Sequence, residues 1–279
     1  MADDPTVGRP TQRPDSVWVW GLPLARLTLS EVVTAVGERI AAGCPAHFIT
    51  ANTHYAMLTR KHPDLRAINA RADFILADGA PLVWASRRTG RPLPERVTGS
   101  DLIFELSAEA ARKQYRLFLV GGAEGVAAAA ARRLVALYPG LPVVGTACPP
   151  FREWTDADEA DLIARIRAAR PDLLLTAFTM PKGERWLAAN LEAMGVPVVV
   201  NVGAAIDFAA GRVRRAPRWM QRSGLEWAFR LGREPRRLFG RYARNAWFIA
   251  CMVARDLGPA AGRRRLGRGE GPDPQEVLS

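Results

Sequence analysis

Short apolar runs alternate along this chain with stretches of helical periodicity, and most of the runs stop abruptly at small or polar residues. Residues 47–51 run into Asn52-Thr53, and 74–77 into Asp78-Gly79. Residues 115–120 stop at Gly121-Gly122. Further runs at 141–146, 173–178 and 197–202 follow, the last leading into Gly203-Ala-Ala-Ile-Asp207. Amphipathic stretches lie between them: 30–40, 53–68 with a restart at Pro63, 82–88, 101–111, the Ala-rich 123–138, 156–169 and 181–195. Such alternation predicts an α/β fold, a mostly parallel sheet with helices covering its faces. Residues 17–20 form one more strand candidate, which Gly21-Leu-Pro23 is expected to break. No internal repeat is visible.

With 279 residues, 48% of them hydrophobic, the chain can bury a substantial core. Cys44, Cys148 and Cys251 are far apart, no CxxC pair exists, and the histidines are scattered. Neither a zinc site nor a disulfide framework is supported, which fits a reducing compartment. The start, Met1-Ala-Asp-Asp-Pro5, lacks the basic and apolar regions of a signal peptide. The net charge of +11 is concentrated between Arg212 and Arg244. Arg212, Arg214, Arg215, Arg218, Arg222, Arg230, Arg233, Arg236, Arg237, Arg241 and Arg244 are opposed there only by Glu226 and Glu234. A segment of this kind should face phosphate, anionic lipid or nucleic acid. The expected organisation is a disordered lead-in at 1–16, a catalytic core at 17–211, a basic helical appendage at 212–258, and a disordered tail at 259–279.

The best apolar run in the appendage, 246–254, falls far short of the ~20 residues a spanning helix needs. Flanked by Arg244 and Arg255 and carrying Trp247 and Phe248, it reads as a helix lying in a membrane surface. The rival class for the basic segment is a nucleic-acid-binding protein. Its arginines, however, are interleaved with apolar residues, and no nucleic-acid motif is present, so nucleic acid is not the expected partner.

Ligands of open α/β sheets bind just beyond the carboxyl ends of the strands. Thr50, Asn52 and Asp78 should therefore share one crevice. A carboxylate at Asp78 can accept the proton of an attacking sugar hydroxyl; the plainer alternative is an Asp-Gly turn or a helix cap ahead of Pro81. Thr50 and Asn52 can hold a hydroxyl or a phosphate oxygen, or simply cap the next helix. Arg96 can pair with a phosphate or with Asp78. Gly121 and Gly122 open a helix and can admit a phosphate. Their spacing is not GxGxxG, and no acidic residue follows at the next strand end, so a dehydrogenase is weakly supported. Phe178 stands at another strand end, and Lys182 can add positive charge for a diphosphate. Gly203 and Asp207 follow the last strand, with Asp207 in reach of a ribose or sugar hydroxyl. Arg230, Arg237 and Arg241 would share one helix face if the helix were continuous; Pro235 argues against continuity, and a break before it would leave Arg237 and Arg241 together. Such arginines can stabilise a leaving diphosphate.

Several blocks, in order, resemble the WecG/TagA/CpsF glycosyltransferases. They are Thr50-Ala-Asn-Thr-His54, Ala77-Asp-Gly79, Pro94-Glu-Arg-Val-Thr-Gly-Ser-Asp101, Phe118-Leu-Val-Gly-Gly122, Asn201-Val-Gly-Ala-Ala-Ile-Asp-Phe208, Arg214-Arg-Ala-Pro-Arg-Trp-Met-Gln221, Leu225-Glu-Trp227 and Glu234-Pro-Arg-Arg237. The likeness spans roughly residues 17 to 245. It implies a Rossmann-like core and an inverting transfer, without metal or other cofactor, from a UDP-sugar to a polyprenyl-diphosphate-linked saccharide in cell-surface polysaccharide assembly. It further implies that Asp78 is the general base, that Thr50, Asn52 and Arg96 lie in its pocket, and that Arg230 and Arg237, with Arg241 behind them, meet the diphosphate. The appendage would dock on an anionic membrane surface, making the protein cytoplasmic and peripheral on the inner face of the membrane. Self-association of the core is left open. One departure stands out: the family's Pro-Lys-Gln-Glu is here Pro181-Lys-Gly-Glu184, which removes a side chain from the donor side. The family's Gly-Gly ahead of its Phe-Asp pair is likewise altered, to Gly203-Ala204-Ala205-Ile206-Asp207.

Overall fold

In a computed structural model describing residues 14–257, the expected alternation becomes a six-stranded parallel sheet. The chain opens with an antiparallel hairpin, β1 (Ser16–Val19) and β2 (Leu22–Ala25), in which Trp18 pairs with Pro23. Gly21-Leu-Pro23 thus turns the chain rather than ending the strand. Gly21 sits at φ +91°, where only glycine is unstrained, and Pro23 is tolerated because the hairpin has free edges. Of the expected disordered ends, residues 1–13 and 258–279 lie outside the described residues. Asp15 and Ser16 are placed, and Asp15 pairs with Arg26 at 2.6 Å and with Arg91.

The sheet strands are β3 (Ala46–Ala51), β4 (Phe74–Ala77), β5 (Leu117–Gly121), β6 (Val143–Ala147), β7 (Leu173–Ala177) and β8 (Val198–Asn201), in the order β4-β3-β8-β7-β5-β6. Alternate side chains point to opposite faces, as the period of two requires. Phe48, Leu76, Leu119, Leu175 and Val200 pack with α1 (Leu29–Ala42), α5 (Gly99–Lys113), α6 (Val126–Leu137) and α9 (Ala205–Ala209). Their neighbours Ile49, Ile75, Val120, Leu174 and Val199 pack on the other face with α2 (Thr53–Lys61), α3 (Pro63–Arg71), α7 (Asp156–Ala169) and α8 (Lys182–Met194).

Two features of this topology place a site. The chain leaves β5 through α6 on one face and leaves β7 through α8 on the other, so the ends of these neighbouring strands open away from each other. This is a topological switch point, where ligands of such sheets bind. It is bordered by Gly121-Gly122 and the loop 178–181. At the far edge, β3 and β4 end side by side, and the Asp78 amide donates to the Ala51 carbonyl at 2.8 Å.

Past Gly211 come α10 (Arg218–Arg222), α11 (Glu226–Arg233) and α12 (Pro235–Leu257). Helix α11 stops at Glu234 and Pro235 restarts the chain, since proline suits a first helical turn but not an interior. Helix α4 (Ala80–Ser86) is the short helix that follows Gly79. The stretch 246–254, expected to lie in a membrane surface, is only part of α12. Its Phe248, Ile249 and Met252 are taken up by the protein, packing with Trp20 and the hairpin. Trp20 Nε1 also donates to Asp256 at 3.2 Å. Among the described residues no helix is long and apolar enough to cross a membrane.

Candidate active site

Asp78 stands at the end of β4, half-buried, beneath the N-terminus of α5. The loop before α5 is drawn back along β4 by the Val97 amide, which donates to the Ala77 carbonyl at 3.1 Å. Thr98 caps the helix, its hydroxyl accepting from the Asp101 amide at 3.0 Å. Gly99 is needed at the first helical position, because a Cβ there would lie 2.4 Å from the Val202 carbonyl oxygen. That close approach lets the Gly99 amide donate to the Asp78 carboxylate. The specific Val-Thr-Gly-Ser-Asp block is thus a device for bringing a helix N-terminus onto Asp78.

Burial pushes the Asp78 carboxyl up to about 7. Arg96 and the Gly99 amide pull it down, while the charges of Glu226 and Asp101 push it further up. A carboxylate held near neutrality while still able to ionise is what a general base requires.

Arg96 points to the appendage as well as to Asp78. Its guanidinium donates to the Gln221 carbonyl at 3.1 Å and lies 3.6 Å from Glu226. Arg215 meets Asp101 at 2.6 Å and Glu226 at 3.3 Å. Asp101, which burial would raise, is instead held below the usual carboxylate range by Arg215 and Thr98. Asp78, Arg96, Glu226, Arg215 and Asp101 therefore form one network joining core and appendage. Glu226, Arg215, Asp101 and Gly99 were not among the expected site residues. The signal for Glu226 was present: it is one of two acidic residues in an otherwise basic run.

Other expected residues are placed as follows. Asn52 caps α2, accepting from the Tyr55 amide at 3.1 Å, and its backbone borders Gly79. The Thr50 hydroxyl is buried and donates to the Asn201 carbonyl at 2.7 Å, locking β3 to β8. Gly121 and Gly122 have φ of +120° and +76°, and Gly121 lies so close to Ala177 that a Cβ would be 2.9 Å from its Cβ. Phe178 packs edge-on to Trp154 and Trp186, and the Asn201 side chain holds its backbone amide at 3.1 Å. The Lys182 Nζ stacks 4.4 Å above the Trp154 ring, an attraction between cation and ring face that holds it at the aromatic cluster containing Phe178.

Gly203 sits at φ +57° with open space around it, leading to Asp207 on α9. Burial raises the Asp207 carboxyl, opposed by Arg212, Arg230 and Arg237. Arg230 also lies over the Phe208 ring, 5.8 Å from its centroid, and Arg237 pairs with Glu234 at 2.5 Å. Arg241 does not join this group; together with Arg244 it faces His54 on α2.

The missing glutamine leaves no hole. A Cβ at Gly183 would lie 2.6 Å from Phe178 Cβ and 2.8 Å from Asn201 Nδ2. Asn201 Nδ2 in turn donates to buried Glu184 at 2.8 Å. The space is closed by packing.

A buried carboxyl at a strand tip, a switch-point crevice and arginines from the C-terminal helices are together suited to transferring a group between anionic substrates. Sequence comparison then names the family. The profile of the glycosyl transferase WecG/TagA/CpsF family matches residues 17–261, and the chain belongs to that family. It is 31% identical over 192 residues to the N-acetylglucosaminyldiphosphoundecaprenol N-acetyl-beta-D-mannosaminyltransferase of Bacillus spizizenii, covering 69% of this chain and 73% of the relative. The enzyme of the same name from Bacillus subtilis is 30% identical, covering 65% and 69% of the two chains. That of Staphylococcus aureus is 27% identical, covering 65% and 70%.

Proposed function

We propose that this protein transfers a sugar, with inversion, from a UDP-sugar to a saccharide carried on a polyprenyl diphosphate. Asp78 takes the proton of the acceptor hydroxyl as its oxygen attacks the anomeric carbon. The new C–O bond forms as the bond from that carbon to the β-phosphate oxygen breaks, and UDP leaves with the electron pair. The observation that carries this reading is Asp78 itself, a carboxylate poised near neutrality beneath a helix N-terminus at the strand ends. Arg230 and Arg237, gathered on Asp207 at the end of β8, meet the departing diphosphate, with Asp207 in reach of a ribose hydroxyl. The names of the relatives point to N-acetylmannosamine as the donor sugar and to N-acetylglucosamine on diphosphoundecaprenol as the acceptor.

The appendage brings this site to the lipid. Along α12 an outward stripe of Phe239, Ala243, Ala246, Trp247 and Ala250 is exposed, with Arg236 and Arg244 beside it. Trp219 on α10 and Trp227 on α11 are exposed as well. Aromatics and arginines on one surface suit the boundary of an anionic membrane. The test is incubation of the full chain with UDP-N-acetylmannosamine and a short-chain N-acetylglucosaminyl-diphospho-lipid, with mass spectrometry of the lipid and NMR of the new linkage. A product heavier by one sugar with inverted anomeric configuration is expected. Retention of configuration, or no product from any UDP-sugar, would overturn the reading.

A further inference from the structure

Four polar residues are buried and joined beneath the strand tips. Thr50 is near the end of β3, Asn201 ends β8, Thr176 is near the end of β7, and Glu184 is in the first turn of α8. Thr176 and Glu184 are fully buried, and Thr50 and Asn201 nearly so. Burying such groups costs free energy that their hydrogen bonds only offset, and apolar side chains of similar shape would stabilise a sheet as well. What a satisfied polar network adds is a fixed geometry.

Asn201 is the hub. Its Oδ1 accepts from the Phe178 amide at 3.1 Å and from the Thr176 hydroxyl at 3.3 Å. Its Nδ2 donates to the Phe178 carbonyl at 3.3 Å and to Glu184 Oε1 at 2.8 Å. Both donors and both lone pairs of the side-chain amide are therefore used. The Asn201 carbonyl accepts from the Thr50 hydroxyl, and the next carbonyl, that of Val202, lies against Gly99, whose amide meets Asp78. One short segment, 201–202, thus touches both the loop 178–181 and the helix end over Asp78. Glycine at 183 keeps the Glu184 contact open, since a Cβ there would lie 2.8 Å from Asn201 Nδ2. Burial raises the Glu184 carboxyl, against the Asn201 hydrogen bond that lowers it, and so favours the uncharged acid.

We propose that Glu184 and Asn201 are positioning residues for the transfer, their hydrogen bond setting the loop 178–181 at the switch point against the backbone that holds Asp78. The role rests on the proposed function and deepens it. Attack on the anomeric carbon needs donor and base in register, and a misplacement of about 1 Å can cost about a hundredfold in rate. Glu184 is fully buried and reaches no substrate. It acts through Asn201 and the Phe178 backbone, and what it supplies is an acceptor oxygen in a fixed place rather than a charge.

The test compares Glu184→Gln, which keeps the acceptor oxygen, with Glu184→Leu, which fills the space without one. Transfer kinetics of the full chain are measured for donor and lipid acceptor, and stability by thermal melt. Glu184→Gln is expected to match wild type in kcat within about twofold. Glu184→Leu should lower kcat about ten- to a hundredfold while both KM values stay within about threefold, the split expected when bound substrates are misaligned. It should melt within about 4 °C of wild type. A folded leucine variant with wild-type kcat would overturn the role, and so would a glutamine variant as impaired as leucine, which would make charge the requirement. A raised donor KM with kcat unchanged would mark simple binding, and a leucine variant too unstable to fold would mark a contact kept for stability; either would overturn it too. These results leave the proposed function standing, whereas no product from wild type with any UDP-sugar would overturn that function and this role with it.

Discussion

Arg96 Nη1 lies 3.6 Å from Glu226 Oε2, so the loop following β4 is tied to the first turn of α11 beside the Asp78 carboxylate. The same glutamate also receives Arg215, which is bound to Asp101 at the start of α5. The appendage is therefore wired into the electrostatics of the proposed base. Docking the appendage and tuning Asp78 are two effects of one set of contacts.

The acid limb of the pH profile should report this. With Asp78 pushed up to about 7, kcat/KM should rise about tenfold per pH unit below 7 and level off above it, as expected when a base must be deprotonated. Glu226 is one of the charges raising that value, so Glu226→Gln should move the midpoint to lower pH. Steady-state assays between pH 5 and about 9 on both proteins check it. A profile flat through 7 would detach the rate from this carboxyl.

The same group makes a stability prediction. Its proton is held more tightly in the folded chain than in the unfolded one, where the carboxyl titrates near 3.8. Asp78 therefore favours folding at low pH, and that contribution is lost as pH rises from about 4 to about 7. Above 7 the native carboxylate is a burden, and Asp78→Asn should be more stable than wild type by roughly 1–2 kcal/mol after solvent screening. Thermal melts at pH 5 and 8 should show a wider gap at the higher pH.

Gly183 should resist repair. Any side chain there meets Phe178 Cβ and Asn201 Nδ2 well inside contact distance. Both Gly183→Ala and Gly183→Gln should lose about 1–3 kcal/mol through overpacking, without any gain in turnover. A Gln variant with unchanged melting temperature and higher kcat/KM would mean that the loop 178–181 yields.

Arginines are assigned here to the leaving diphosphate. Turnover should survive exhaustive chelation with no divalent ion added, and Arg237→Ala should cost about ten- to a hundred-fold in kcat/KM for the donor. Activity lost on chelation and restored by magnesium or manganese would shift that role to a metal.

Much of the fold was legible because buried parallel strands and amphipathic helices leave different periods, and strand tips bearing Asp78 or Gly121-Gly122 announce themselves. The hairpin was missed because Gly21-Leu-Pro23 looks the same whether it ends a strand or turns it. The site was legible where chemistry sits in local motifs. It was not legible where side chains meet by topology: Arg215 and Asp101 are 114 residues apart, and Arg96 reaches Gln221 across 125. Nothing local to Lys182 reveals that the Trp154 ring, arriving from before α7, lies within 4.4 Å. Arg241 parted from Arg237 because its stretch of α12 lies against α2 rather than α9.

The most direct measurement is single-turnover transfer by Asp78→Asn, with donor and lipid acceptor both saturating. The account predicts unchanged UDP affinity, a folded protein, and a chemical step slowed by about 10²–10⁴-fold. Transfer at the wild-type rate by that folded variant would contradict it.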